Sequence, residues 1–274
     1  MQKTRPGRQR LNGKTRRNRA LFALLLLGAS VGAARAGGVV SLNLCADDFL
    51  LALAPEQITA LTVLANDPSL SVQAAAAGAV RRVRADPEAV LALHPDLVLA
   101  APYGAQQTLR VLAGQGVRIG KLRLPEDFSQ IRNETRRIAS LLGVPRRGEA
   151  ALADMDRILA SLRPGAGQQA GAGQRALFLE PRGWTSGPND LATAVLRAAG
   201  YRPVGDGSAW SLEAVVAARP DLLVLPQAPG FPSLATALLH HPALRGIPVR
   251  TVSPALLICG GPWTARAAQQ IAPP

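Results

Sequence analysis

Histidine, cysteine and aromatic residues are scarce in this 274-residue chain, which contains three His, two Cys and 4% Phe, Trp and Tyr. A catalytic zinc site needs three converging protein ligands, and the chain contains no HExxH pair. It also has no G-x-S-x-G nucleophile turn, because the similar stretch WTSGP at 184–188 lacks the preceding glycine. The sequence therefore argues against an enzyme and against a carrier that binds a bare metal ion through histidine, and these stand only as the alternative function.

A long apolar run is also missing. The segment 21–34 is shorter than the roughly 20 residues that cross a bilayer, and no later segment is long and apolar enough. It follows eight Lys or Arg within residues 1–19 and ends at Ala34-Arg35-Ala36, with small residues where signal peptidase cleaves. We therefore expect residues 1–36 to be a signal peptide for export to the periplasm.

The leader contains features of two export routes. Thr15-Arg16-Arg17 resembles the twin-arginine signal, but Arg19 stands where that signal prefers an apolar aromatic residue. We therefore expect export by the Sec route, with the twin-arginine route as the alternative.

The net charge of +13 also depends mostly on this leader. Without residues 1–36 the chain loses nine of its 31 Lys and Arg and no acidic residue, which leaves 22 basic against 18 acidic side chains, or +4. The remaining arginines are scattered among Ala and Leu and form no basic stripe interleaved with aromatic residues. We expect no nucleic-acid partner.

A thirteen-residue stretch occurs twice in the chain, as EAVLALHPDLVLA at 88–100 and as EAVVAARPDLLVL at 213–225, with seven identical positions. In each copy a helical apolar spacing runs into a Pro-Asp pair and then into a wholly apolar strand, which is typical of a parallel sheet. Other strands are predicted around the copies. The predicted set is 39–42, 58–64, 97–100, 117–122, 176–179, 222–225 and 249–252. Strands that alternate with helices predict an α/β fold with two lobes, each a mainly parallel sheet flanked by helices.

The segment between the two copies differs from both. Leu152, Met155, Leu159 and Leu162 make one apolar stripe at helical spacing, which predicts a single long connecting helix. The stretch GAGQQAGAGQ at 165–174 is typical of a flexible linker, and its G-x-G-x-x-[GA] match lacks the preceding strand that a dinucleotide site requires. The expected domains are an N-terminal lobe at 37–143, the connecting helix and linker at 144–174, and a C-terminal lobe at 175–274.

Four blocks of sequence, in this order, resemble the periplasmic substrate-binding proteins of ABC importers for vitamin B12, ferric siderophores and haem. The blocks are VVSLNLCADDFLLALA at 39–54, EAVLALHPDLVLA at 88–100, RGWTSGPNDLATAVLRAAG at 182–200 and SLEAVVAARPDLLVL at 211–225. The resemblance implies two lobes bridged by one rigid helix, with the ligand in the cleft between them and little domain closure. It also implies a monomer without catalytic activity or resident cofactor that works with an ABC permease dimer and its ATPase subunits.

Ligands of open parallel sheets bind beyond the carboxyl ends of the strands, so the candidate ligand-binding residues lie in or near the loops at those ends. All three Trp of the chain are among them and offer flat apolar faces, although each could instead occupy a core position. The candidates are Asn43, Cys45, Asp47, Asn66, Asp67, Tyr103, Arg182, Trp184, Trp210 and Trp263.

The resemblance implies that the ligand is a cobalt corrinoid or an iron chelate, either haem or a ferric siderophore. Arg182 is the one basic residue that the sequence allows us to assign to the cleft. A strongly anionic chelate needs several cations, so this single Arg favours a macrocycle held by Trp faces, and first of all the corrinoid.

Cys45 and Cys259 are the only cysteines, and an oxidising periplasm would allow them to pair across the cleft. Two separate buried thiols, or a thiolate that contributes to the ligand site, are the alternatives.

Each lobe of the resembling proteins carries an exposed Glu that docks onto an Arg pocket of the permease. Glu88 and Glu213 occupy those positions in this chain, each at the start of its copy of the repeated stretch. The alternative is that both carboxylates merely stabilise the first turn of a helix.

Overall fold

Two four-stranded parallel sheets organise the protein. The structure is a computed structural model that describes residue 2 and residues 38–162, 173–227 and 241–273. Residues 37–274 form one compact unit, separate from residues 1–36. The expected signal peptide, apart from residue 2, and most of the expected linker at 165–174 lie outside the described residues. Within the described ranges no helix is long and apolar enough to cross a membrane.

The two sheets share one strand order, and every pair of neighbouring strands in them is parallel. The first sheet, in the order β2-β1-β3-β4, contains β1 (Val39–Ser41), β2 (Ile58–Ala60), β3 (Leu97–Ala100) and β4 (Arg118–Lys121). The second, in the order β6-β5-β7-β8, contains β5 (Arg175–Phe178), β6 (Arg202–Pro203), β7 (Leu222–Pro226) and β8 (Val249–Val252). The predicted two-lobed α/β fold is thereby confirmed. The short strand β6 was not predicted, because an Arg-Pro pair lacks the apolar pattern of a strand.

Helices separate the strands in both lobes. They are α1 (Leu44–Leu53), α2 (Pro87–Leu91), α3 (Gln106–Gly114), α4 (Phe128–Leu141), α5 (Pro145–Ser161), α6 (Leu191–Ala198), α7 (Leu212–Ala218), α8 (Ala255–Ile258) and α9 (Ala265–Ile271). Helix α4 begins where Asp127 caps it, since the Asp127 carboxylate accepts the Gln130 amide hydrogen at 2.7 Å. Helix α5 is the connecting helix, and it buries Leu152 and Met155 of the predicted stripe.

The two copies of the repeated stretch have the same local structure. In each, a short helix (α2 or α7) leads into the strand that stands third in its sheet. The residue before the repeated proline is left-handed in both copies, with φ of 47° at His94 and 43° at Arg219. The repeated sequence therefore encodes the same element in both lobes.

One hydrophobic cluster extends through both lobes. It contains Leu50 and Leu99 of the first lobe together with Phe178 and Ile271 of the second. The connecting helix adds a smaller cluster, in which Met155 packs with Ile131 of α4 and Ala265 of α9. A core shared between the lobes resists their separation, because opening it would expose apolar surface.

The lobes are also joined covalently, since Cys45 and Cys259 form a disulfide across 214 positions of sequence. Beside the disulfide, the rings of Phe49 and Trp263 have their centroids 5.1 Å apart. The Trp263 indole N–H donates to the Cys259 carbonyl at 2.8 Å. The structure thus contains the pairing that the sequence left open.

A long segment without helix or strand, residues 62–80, follows β2 and is named the β2 excursion here. Its two ends are held together by backbone bonds, from the Leu61 N–H to the Arg81 carbonyl at 2.9 Å and from the Val83 N–H to the Leu61 carbonyl at 2.8 Å. Asp48 of α1 fixes its middle, because the Asp48 carboxylate accepts the Ser71 hydroxyl at 2.6 Å. The other oxygen of this carboxylate is buried with no hydrogen-bond partner among the described residues.

Replacing both cysteines by serine should lower the free energy of unfolding by about 2 to 5 kcal/mol, because the unfolded chain regains the freedom that the cross-link removes. Urea unfolding of the mature double variant and of the parent, each with and without reductant, measures this. Reductant should weaken the parent and leave the double variant unchanged. Two free thiols in the denatured, unreduced parent would contradict the disulfide.

Replacing Asp48 by Asn should stabilise the fold at pH 8 more than at pH 4. Burial raises the pKa of Asp48 from 3.8 to about 6, against bonds from Ser71 and Gln73 that act to lower it. A raised pKa stabilises the native state below pH 4, and this contribution is lost as pH rises through 6. The free energy of unfolding of the Asp48→Asn variant, relative to that of the parent, should therefore rise by about 3 kcal/mol between pH 4 and pH 8. Urea unfolding at the two pH values measures this difference.

Asp67 of the same excursion offers a matched control, because the Ser69 hydroxyl and amide lower its pKa. The difference between Asp67→Asn and the parent should follow pH in the opposite sense. If the effect of Asp48→Asn on the free energy of unfolding does not depend on pH, the pKa of Asp48 is not raised in the folded protein.

Candidate functional site

Segments that follow the carboxyl edges of the two sheets lie next to each other. Cys45 lies four residues beyond β1 and Cys259 seven residues beyond β8, so the disulfide joins segments that follow one strand of each sheet. Next to it, a Cβ placed on Gly260 would lie 3.1 Å from the ring of Pro125, which follows β4. Segments beyond the strands of both lobes therefore adjoin one another, as expected for a ligand site of parallel sheets.

Exposed apolar side chains are concentrated at these edges. Of nine large hydrophobic residues exposed in the described ranges, six lie in the segments that follow strands. These six are Val63, Leu64, Tyr103, Leu124, Trp184 and Ile258. Contiguous exposed apolar surface marks an interaction site more often than apolar residues scattered singly, so the segments beyond the strands are candidates for ligand contact.

The first lobe has a cavity of about 320 Å³ at this edge. Asn43 beyond β1, Thr62 to Leu64 beyond β2, and Arg84 line part of it. Arg84 follows an isolated parallel bridge between Leu61 and Arg82, which returns the chain to the sheet beside β2. The cavity therefore combines an apolar wall with one guanidinium group.

In the second lobe a clamped loop presents Trp184, whose side chain is 49% exposed. Gly183 has a φ of 82°, and a Cβ there would lie 2.4 Å from the Trp210 carbonyl oxygen, so only glycine fits. The Trp210 N–H donates to the Gly183 carbonyl at 2.8 Å. Asp206 tightens the loop further, because its carboxylate accepts the Trp210 indole N–H at 2.9 Å.

Several predicted site residues are exposed at the carboxyl edges and available to a ligand. Asn66, Tyr103, Arg182 and Trp184 are exposed, and Tyr103 is 76% exposed. Asp67 is partly exposed, but one of its carboxylate oxygens already accepts the Ser69 hydroxyl at 2.6 Å. Trp210 is only partly exposed, and its indole N–H is bonded to Asp206.

Other predicted residues are used inside the fold. The Asn43 side chain caps α1 by accepting the Cys45 amide hydrogen at 2.9 Å, and Cys45 itself is disulfide-bonded. Asp47 is fully buried and bonded to Thr62, and Trp263 is only 5% exposed. Cys45, Asp47 and Trp263 are therefore buried and bonded within the fold in the described structure.

The electrostatics of these carboxylates fit this division. Burial raises the pKa of Asp47, although hydrogen bonds from Thr62 oppose the shift. Bonds from the Ser208 hydroxyl and amide lower the pKa of exposed Asp206. Within the described ranges, no group of three or more His, Cys, Asp and Glu could hold a metal ion.

Sequence reasoning missed two arginines at the carboxyl edges. Arg84 lines the first-lobe cavity, and Arg123 is an exposed residue two positions beyond β4. Neither they nor Arg182 have a carboxylate partner among the described residues. Arg123 could have been found from its place after a predicted strand, whereas Arg84 follows a bridge that has no local sequence signal.

The comparisons with known proteins agree with this architecture. The family model for periplasmic binding proteins matches residues 39–211, which is more than half of the chain. No curated protein matches the sequence.

Solved structures with the same fold are similar at low identity. The periplasmic heme-binding protein RhuT from Roseiflexus sp. RS-1, in apo form, is 23% identical with a TM-score of 0.63, over 85% of this chain and 95% of that one. The heme-binding protein HutB of Vibrio cholerae is 16% identical with a TM-score of 0.70, over 86% and 97%. The vitamin B12 binding protein BtuF of Vibrio cholerae is 19% identical with a TM-score of 0.61, over 85% and 94%.

The identities of these binding proteins to this chain support a common fold without fixing the ligand. The family model covers the first lobe, the connecting helix and the start of the second lobe. The chain therefore belongs to the periplasmic binding protein family.

Proposed function

We propose that the mature protein captures ferric haem in the cleft between its lobes and delivers it to an ABC permease dimer with attached ATPase subunits. Residues 1–36 would direct it to the periplasm as a cleaved signal peptide, where it would act as a monomer. The observation that carries this proposal is that the segments beyond the strands of both sheets hold exposed apolar side chains and arginines without a carboxylate partner among the described residues.

The apolar side chains suit a flat macrocycle. Val63 and Leu64 extend from the first lobe, and Trp184 extends from the second. Ligand pockets are mostly apolar with a few polar groups that fix orientation. Haem and the corrin ring both satisfy this requirement, so other groups must distinguish them.

The arginines favour haem over the corrinoid, which reverses the order expected from the sequence. That order rested on Arg182 as the only cation of the cleft, whereas Arg84 and Arg123 also lie at the carboxyl edges. Haem carries two propionate groups, and Arg binds carboxylates with paired, charge-assisted hydrogen bonds. Cobalamin is rimmed largely by neutral carboxamides and gains less from these charges.

Tyr103 supplies an oxygen suited to ferric iron. Its side chain is the most exposed of the large hydrophobic residues at these edges, and a tyrosine oxygen is one of the axial ligands that hold haem iron in proteins. Of the two histidines that the structure describes, His94 lies in the turn leading into β3, at the opposite edge, and His241 caps a short helical turn through its Nδ1 atom. Tyr103 is therefore the iron ligand in this proposal.

Delivery to the permease would use Glu88 and Glu213. Both are exposed and stand second in their helices, α2 and α7. The residue before each helix caps it. The Asp86 carboxylate accepts the Ala89 amide hydrogen at 2.8 Å, and the Ser211 hydroxyl accepts the Ala214 amide hydrogen at 3.3 Å. Two acids in equivalent settings suit a permease built from two equivalent halves.

Titration of the mature protein with ferric haem should quench Trp fluorescence with a Kd of about 1 μM or tighter. Cyanocobalamin and a ferric catecholate siderophore serve as competing ligands in the same assay. Binding of cyanocobalamin without haem would overturn the choice of ligand but keep the class. If none of the three binds, even at about millimolar concentration, the proposed class of ligand, a cobalt corrinoid or iron chelate, is wrong as well.

Replacing Tyr103 by Phe should alter the absorption spectrum of the bound ferric haem and weaken binding about tenfold, as for the loss of about 1.4 kcal/mol. The change removes one oxygen and keeps the ring. Tyr201→Phe is the matched control, because Tyr201 is the only other Tyr and its hydroxyl is bonded to the Ile271 carbonyl inside the fold. Equal spectra for Tyr103→Phe and the parent would rule out iron ligation by Tyr103.

Replacing Glu88 and Glu213 together by Ala should leave the Kd for haem unchanged and reduce uptake through the reconstituted transporter about tenfold, because charged rim residues govern association with the partner. Glu149→Ala makes the same change of charge per site on α5 and should leave uptake intact. If the two glutamates only stabilise their helices, the double variant will melt at a slightly lower temperature and transport normally.

A further inference from the structure

The β2 excursion forms one wall of the first-lobe cavity but has no regular structure of its own. Val63 and Leu64 at its start are 57% and 45% exposed. A segment of this kind lacks the backbone ladder that fixes a strand, so other groups must hold these two side chains in place.

Asp47 of α1 holds the start of the excursion. One of its carboxylate oxygens accepts the Thr62 amide hydrogen at 3.1 Å, and the other accepts the Thr62 hydroxyl at 2.5 Å. The Thr62 oxygen in turn accepts the amide hydrogen of Leu64 at 3.2 Å. A continuous chain of hydrogen bonds thus runs from α1 to the backbone of the apolar wall.

Asp48, the next residue of α1, holds the excursion further along. It accepts the Ser71 hydroxyl at 2.6 Å and the Gln73 amide hydrogen at 3.4 Å. Both aspartates are completely buried in the described structure. Adjacent carboxylates in one helix are therefore turned inward, and each binds a different part of the same segment.

Two buried carboxylates are costly to the fold. Removing a carboxylate from water is unfavourable unless its bonds compensate, and apolar residues of similar size often stabilise a protein more. One oxygen of Asp48 has no partner in the described structure, so compensation there is incomplete. The two buried carboxylates lower stability, and a need to hold the β2 excursion in place for ligand binding would explain why the protein has them.

We propose that Asp47 and Asp48 are positioning residues, which clamp the β2 excursion so that Val63 and Leu64 form a preorganised ligand wall. The inference rests on the proposed use of this cavity by the ligand. It gives Asp47 a role behind the wall, in place of the direct ligand contact expected from the sequence. Preorganisation raises affinity because the free protein has already lost the freedom that binding would remove.

Thr62→Val tests the clamp with little change of shape, because valine replaces the hydroxyl by a methyl group. Ferric haem should bind about tenfold more weakly to this variant, at a temperature where circular dichroism shows it folded. Thr62→Ser keeps the hydroxyl and should bind within about threefold of the parent. Ser71→Ala removes the bond at the other aspartate and should also weaken binding, which provides a second variant if Thr62→Val does not fold.

Amide hydrogen exchange at Leu64 gives a readout that does not need a ligand. Thr62→Val should speed this exchange, since the bond from the Leu64 amide to the Thr62 oxygen is lost, while Thr62→Ser should not. A merely structural role would lower the melting temperature of Thr62→Val and Ser71→Ala and leave the Kd for haem equal to that of the parent. That result would overturn the inference while the proposed function stands.

Failure of the parent itself to bind haem is a different outcome, because it counts against the proposed ligand. The same variants would then be titrated with cyanocobalamin, and weaker binding by Thr62→Val would support the clamp for that ligand. Unchanged exchange at Leu64 in Thr62→Val would overturn the clamp whichever ligand binds.

Discussion

Burial of helix α1 between the two lobes is the constraint on which the rest of the structure depends. Nine of its ten residues are buried, although two of them are aspartates. Phe49 on this helix packs against Trp263 of the second lobe, and Cys45 is bonded to Cys259. Because α1 begins three residues after β1, its position sets where the carboxyl edge of the first sheet meets that of the second.

The exposed apolar side chains of the two lobes have different supports. In the first lobe, buried carboxylates of α1 reach outward to a segment that has no strand or helix. In the second lobe, the exposed carboxylate of Asp206 accepts hydrogen bonds from groups of its own loop, including the Trp210 indole N–H. Both devices fix apolar side chains beyond the ends of parallel strands, where binding sites of this fold class form. The shared core and the disulfide then restrict how far the two walls can move apart.

Local patterns explain why much of the architecture could be predicted. Apolar runs marked β3 and β7, the proline before each strand marked the end of its helix, and Asp127 marked the start of α4. Tyr103 and Trp184 could be predicted to lie in exposed segments beyond the strands, because each closely follows a predicted strand. The arginine at position 84 could not, because its place depends on a bridge between residues distant in sequence.

The sequence by itself determined the two-lobed α/β class, the connecting helix and the repeated helix-strand unit, since these follow from the periodicity of neighbouring residues. Only the tertiary structure decided which of the candidate polar and aromatic residues are exposed and which are buried. Asp47, Trp263 and Trp184 all look like loop or cleft residues in the sequence, but the first two are buried and the third is exposed. Burial depends on the surface that the other lobe or a distant segment brings against a residue, and no local pattern contains that information.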